Sequence, residues 1–108
     1  MSKSVKNLFS LKNKVIVITG AGGFLGKKHA EIIAAYGGNP VLIDISKDEI
    51  SSLAKTINKK YAVSAIAYKI DITDELQIKN NVLQILKKFG KIDCLVNNAA
   101  NNPKVENN

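Results

Sequence analysis

The chain has 108 residues, enough for one hydrophobic core and one domain. Hydrophobic residues make up 45% and charged residues 23%, which excludes a disordered chain, and a single cysteine excludes a disulfide framework and a cysteine-rich metal site. The net charge of +7 comes from sixteen lysines with no arginine, so the bidentate donor used most for phosphate and base recognition is missing and a solvated lysine surface is favoured over a nucleic-acid interface.

Residues 1–13 form a basic arm whose apolar residues, Val5, Leu8, Phe9 and Leu11, are too dispersed for a signal peptide. No apolar run reaches transmembrane length. With the lone cysteine, these features predict a soluble, cytoplasmic protein.

Lys14 to Thr19 (KVIVIT) is a β-branched run that predicts a strand buried on both faces. A glycine-rich turn, Gly20 to Gly23, follows. Phe24 to Tyr36 predicts a helix, with Leu25, Ile32, Ile33 and Tyr36 toward one side. Gly37 and Gly38 stop it, and Pro40 prevents its continuation. Val41 to Ile45 (VLIDI) predicts the second strand. Ser46 to Glu49 then has the spacing of a capping box, and Ile50, Leu53, Ala54 and Ile57 form one apolar stripe.

Ser64 to Ile70 predicts the third strand, and Thr73 is placed to cap the helix behind it, which ends near Phe89 at Gly90. Its stripe is Ile78, Val82, Ile85 and Phe89. Ile92 to Asn97 predicts the fourth strand, with Cys94 as a buried structural thiol. Residues 101–108 are polar and aperiodic, an irregular tail. Strands alternating with helices predict an α/β fold, a doubly wound parallel sheet of βαβαβαβ order with four strands. The first two helices are expected on one face and the third on the other.

Four features then fall at the C-terminal ends of the four strands, the edge where open α/β sheets bind ligands. After the first strand stands Gly20-Ala21-Gly22-Gly23-Phe24-Leu25-Gly26. Gly20 permits a sharp turn, Gly22 and Gly23 let the backbone approach a pyrophosphate, and Gly26 lets the helix pack close to the sheet. The helix start at Phe24 and Leu25 offers free amides to phosphate. Asp44 ends the second strand, 24 residues after Gly20. A carboxylate at that spacing accepts from ribose hydroxyls and repels a 2′-phosphate, which favours NAD over NADP. Asp71 and Ile72 follow the third strand; Asn97, Asn98 and Ala99 follow the fourth. No metal ligands are expected. His29 lacks partners for a triad or metal and reads as a surface or half-buried helix residue.

The run Gly90 to Ala100 (GKIDCLVNNAA) resembles the fourth-strand signature of short-chain dehydrogenases/reductases, and the resemblance extends from Leu11 to about Ala100. It implies the N-terminal portion of a Rossmann-type domain of an NAD(P)-dependent oxidoreductase, moving hydride between nicotinamide and an alcohol or carbonyl, with a sugar-related substrate suggested by Asn97 to Lys104. By that resemblance Asp71 contacts the adenine amino group, Asn97 to Ala99 line the adenosine side, and a longer form is a homo-oligomer. Phe24 departs from the glycine usual in the compact branch. The turn's spacing therefore keeps an extended-type sugar-nucleotide epimerase or dehydratase fragment as an alternative.

The family's catalytic pair is a Tyr followed four residues later by Lys, with a Ser upstream. Here the residues four beyond Tyr36, Tyr61 and Tyr68 are Pro40, Ala65 and Ile72. No catalytic residue is expected in residues 1–108, and a catalytically inactive nucleotide-binding remnant is the second alternative.

Overall fold

The computed structural model describes residues 9–98. Residues 1–8 of the basic arm, Ala99 and the 101–108 tail lie outside the described residues. The elements alternate as β1 (Val15–Thr19), α1 (Phe24–Ala35), β2 (Asn39–Asp44), α2 (Lys47–Lys60), β3 (Ile66–Lys69), α3 (Glu75–Phe89) and β4 (Cys94–Asn97). The strands form one four-stranded, all-parallel sheet in the order β3-β2-β1-β4. β1 lies at its centre, so its residues Val15 to Ile18 are buried on both faces.

Each face has its own core. Ile16, Ile18 and Leu42 point to the side covered by Ala30, Ile33 and Ala34 of α1 and by Ile50, Ala54 and Ile57 of α2. Val15, Val17, Val41 and Ile43 point to the other side and meet Ile85 of α3. The sheet is therefore wound on both sides, as the alternating pattern requires.

Several local expectations are corrected. In α1 the buried face is Gly26, Ala30, Ile33 and Ala34, while Leu25 and Ile32 are exposed. Small residues win that face because the helix lies close to the sheet, leaving the larger side chains outward. Pro40 belongs to β2 itself; β3 begins pairing one residue later, at Val41, so the missing Pro40 N–H falls at the strand's start. Ser64 and Ala65 precede β3 rather than joining it, tied by Asn39 Oδ1 accepting from Ser64 N (2.8 Å) and Asn58 Oδ1 from Ala65 N (2.7 Å).

The capping box does not form. Ser46 holds the N-cap position of α2 without a side-chain bond, and Glu49 pairs with Lys27 instead. Thr73 does not cap α3: its amide and hydroxyl both donate to Asp71 Oδ1, and Asp74 accepts from Leu76 N and Gln77 N. Cys94 is exposed, because among the described residues β4 is an edge strand paired with β1 alone. The helix ends do follow their glycines. Gly37 (φ +93°) and Gly38 return amides to Ala34 O and Ile33 O, and Gly90 (φ +81°) closes α3 onto Leu86 O.

Candidate functional site

Because all four strands are parallel, their C-terminal ends share one edge. Register sets Thr19 beside Ile43 and Asn97, and Asp44 beside Lys69. Gly20, Asp44, Asp71 and Asn97 are thereby gathered from sequence positions up to 77 residues apart.

The turn after β1 is fixed mainly by backbone. Gly20 has φ +66°, a left-handed conformation that an L side chain resists. Ala21 N donates to Ile43 O (3.1 Å), and Gly23 N to Gly20 O (3.1 Å). A Cβ on Gly26 would collide with Gly20 O and stand 2.7 Å from Ala21 Cα, so only glycine lets α1 come this near the turn. α1 starts at Gly23 with no side-chain cap and no acidic residue in its first turn. α2 and α3, by contrast, carry Asp48 and Glu49, or Glu75, in theirs. No acidic residue of α1's own first turn offsets the positive end of its dipole at this edge.

Asp44 is part of the same unit. Its Oδ2 accepts from Gly22 N (2.8 Å) and its Oδ1 from Ser46 N (2.9 Å). A Cβ on Gly22 would lie 3.0 Å from Asp44 Oδ2, so glycine is what allows the close approach. Each carboxylate oxygen keeps acceptor capacity for a further donor.

Between the ends of β2 and β3 lies a cleft of about 170 Å³ lined by Gly20, Ile43, Asp44, Ile45, Ile70, Asp71 and Ile72. Its walls are aliphatic, with a carboxylate at either side. The Thr73 hydroxyl at 2.6 Å, and then its amide at 2.9 Å, hold the Asp71 carboxyl below its ordinary value, so it is ionised near neutrality.

On the β4 side, Thr19 Oγ1 donates to Asn97 Oδ1 (3.1 Å) and accepts from Asn98 N (3.0 Å). Asn98 Nδ2 reaches Gly20 O at 3.5 Å. The asparagines therefore brace the first turn from the far side. Thr19, the strand residue immediately before the glycine turn, also stands in this assembly, as does the Lys27–Glu49 pair, which nothing in the sequence marks. Ala99 lies outside the described residues. His29 is half-buried on α1, and no group of three or more potential metal ligands occurs among the described residues.

The larger opening on this side of the sheet is apolar, about 320 Å³, between α3 and the sheet, lined by Val17, Ile70, Ile78, Val82, Leu95 and others. It carries no ionisable side chain and adjoins the edge through Thr19 and Asn97. No helix among the described residues is long and apolar enough to cross a membrane.

A family model described as short chain dehydrogenase matches residues 14–108. The NADP-dependent mannitol dehydrogenase of Alternaria alternata is 37% identical over 98 residues, covering 88% of this chain and 37% of that protein. A solved structure described as a D-mannonate oxidoreductase from Haemophilus influenza, with bound NAD, superposes with a TM-score of 0.82 at 38% identity, covering 93% of this chain and 36% of that one. L-sorbose reductase from Gluconobacter frateurii, solved with NADPH and L-sorbose, gives a TM-score of 0.80 at 29% identity, covering 85% of this chain and 35% of its own. The chain thus spans little more than a third of the length of these relatives.

Proposed function

The chain belongs to the short chain dehydrogenase family, and from that premise we propose that it is the cofactor-binding part of a nicotinamide-dinucleotide oxidoreductase that takes NAD in preference to NADP. The observation that carries the reading is the bond from Gly22 N to Asp44 Oδ2, which makes the phosphate turn and the ribose carboxylate one rigid unit. The glycine turn fits a pyrophosphate: a Cβ at Gly26 would push α1 off the turn and one at Gly22 would crowd Asp44, so these glycines keep the amides of the turn and the helix start at the edge.

The amides from Gly22 to Gly26, with the α1 dipole, hold the pyrophosphate. Asp44 accepts from the adenosine ribose hydroxyls, and its charge opposes a 2′-phosphate. Ile43, Ile45, Ile70 and Ile72 give the adenine an apolar slot, with ionised Asp71 as acceptor for its amino group. Asn97 and Asn98 hold Gly20 in place, directly and through Thr19. The dinucleotide, when bound, supplies hydride transfer to or from a carbon bearing an alcohol or carbonyl. The relatives named for mannitol, D-mannonate and L-sorbose support a polyol or sugar-related substrate.

Isothermal titration tests this reading. NAD is expected to bind the chain, and Asp44→Ala to weaken it by about 1.5–3 kcal/mol, the worth of hydrogen bonds to a charged acceptor. No heat with millimolar NAD, or an unchanged affinity in Asp44→Ala, contradicts it.

A further inference from the structure

The Asp44 carboxylate is not the sole acid at the turn. A Cβ on Gly22 would stand 3.0 Å from Asp44 Oδ2 and 3.3 Å from Glu49 Cβ, so the Gly22 backbone lies in a slot between the two acidic side chains. From that slot Glu49 Oε1 reaches Lys27 Nζ at 2.8 Å, joining the first turn of α1 to the first turn of α2. Both side chains are about half exposed, 45% and 53%, and an ion pair in that setting adds little to stability. Its position beside the ribose carboxylate has consequences for ligand charge instead.

We infer that the Lys27–Glu49 pair is a coenzyme-selecting element. Glu49 acts as a second carboxylate against a ribose 2′-phosphate and occupies the lysine that would otherwise receive it. The inference rests on the dinucleotide reading above. A phosphate on a ribose held by Asp44 would sit beside Gly22 and α2, where it meets Asp44 and Glu49 together. Of the lysines near the turn, Lys27 is neutralised by Glu49, and Lys28 lies over the Phe24 ring, 5.2 Å from its centroid. Lys47 is followed directly by Asp48 and Glu49. An uncharged ribose meets none of this opposition, so the device discriminates by repulsion.

The test is calorimetric titration of the wild-type chain, Glu49→Gln, Lys27→Gln and the double variant with NAD and with NADP, at low and high salt. Glutamine keeps the shape of Glu49, and a thermal melt of each variant reports that the fold is retained. Glu49→Gln should raise NADP affinity by about tenfold and leave NAD within about twofold, an effect of one charge near a charged ligand. The gain should shrink at high salt, as screening requires. It should be mostly lost in the double variant, because Lys27 then cannot receive the phosphate.

An unchanged NADP affinity in Glu49→Gln, with NAD still bound, overturns the inference and leaves the dinucleotide reading standing. A gain kept in full by the double variant overturns the role of Lys27. Failure of the wild-type chain to bind either dinucleotide overturns the parent reading as well. Glu49→Ala, which removes the side chain entirely, should shift NADP affinity in the same direction.

Discussion

At the scale of single residues, the turn after β1 depends on atoms that are absent. Gly26 sits where a methyl group would strike Gly20 O and Ala21 Cα, both backbone atoms that cannot rotate away. Gly26→Ala must push α1 off the turn, at a cost of about 1–3 kcal/mol or more, and a denaturant melt will read it. Asp93 makes a different prediction. The Val15 amide at 2.7 Å, then the Lys91 ammonium at 3.1 Å, hold its carboxyl below the ordinary 3.8. A depressed value stabilises the fold above the ordinary one and is lost as pH falls through the folded one, so this contribution begins to fall near pH 3.8 and is gone only below the lower, folded value. Asp93→Asn removes the titration, so between about pH 5 and pH 3 the variant should lose less stability than the wild-type chain. Equal acid limbs in melts of the two would contradict it.

The candidate positions were legible because each ends or follows a strand: glycines 20 to 26, Asp44, Asp71 and Asn97. It did not reveal the partner each side chain would choose. Glu49 had the spacing to reach back to its own helix start, but Lys27 of another helix offers an opposite charge. Thr73 had a capping hydroxyl, but Asp71 accepts both its donors. Competition between local and tertiary partners does not show in spacing.

At the scale of elements, periodicity located the seven elements and the buried stripe of α2, because β-branched runs and 3.6-residue stripes are strong signals, but it missed the small-residue face of α1. It misjudged depth. The α3 stripe of Ile78, Val82, Ile85 and Phe89 buries fully only at Ile85, since the apolar opening between α3 and the sheet leaves Ile78 and Val82 partly exposed. α1 and α2 share the other core with several buried side chains each. Amide exchange should therefore be faster in α3 than in α1 or α2, as expected of an element with few buried apolar contacts. Ile85→Ala should detach it, costing about 2–5 kcal/mol. Protection of α3 equal to that of α1 would contradict this description.

At the scale of the whole molecule, a charge of +7 accompanies an apolar flank: Leu76 (66% exposed), Leu83 (65%) and Leu95 (60%) stand out on the α3 and β4 side. β4 also offers an unpaired strand edge among the described residues. We expect this chain alone to self-associate, and more so as salt screens the repulsion between its lysines. Sedimentation that finds a monomer at every ionic strength would contradict that. Cys94 belongs to this scale too. Its apolar neighbours in the sequence predicted burial, but burial depends on what pairs with β4, and on its outer side the described chain supplies nothing.

On the proposed reading, the C-terminal edge of the sheet is one dinucleotide site, organised around the bond between Gly22 and Asp44. Backbone amide shifts of the labelled chain during titration with NAD test it most directly. The largest shifts are expected at Gly22 to Gly26, at Ile45, and at Asp71 and Ile72, with Lys14, Ser64 and Gly90 at the opposite edge unmoved. Saturating NAD that leaves the Gly22 to Gly26 amides in place, or that moves only residues along α3, would contradict it.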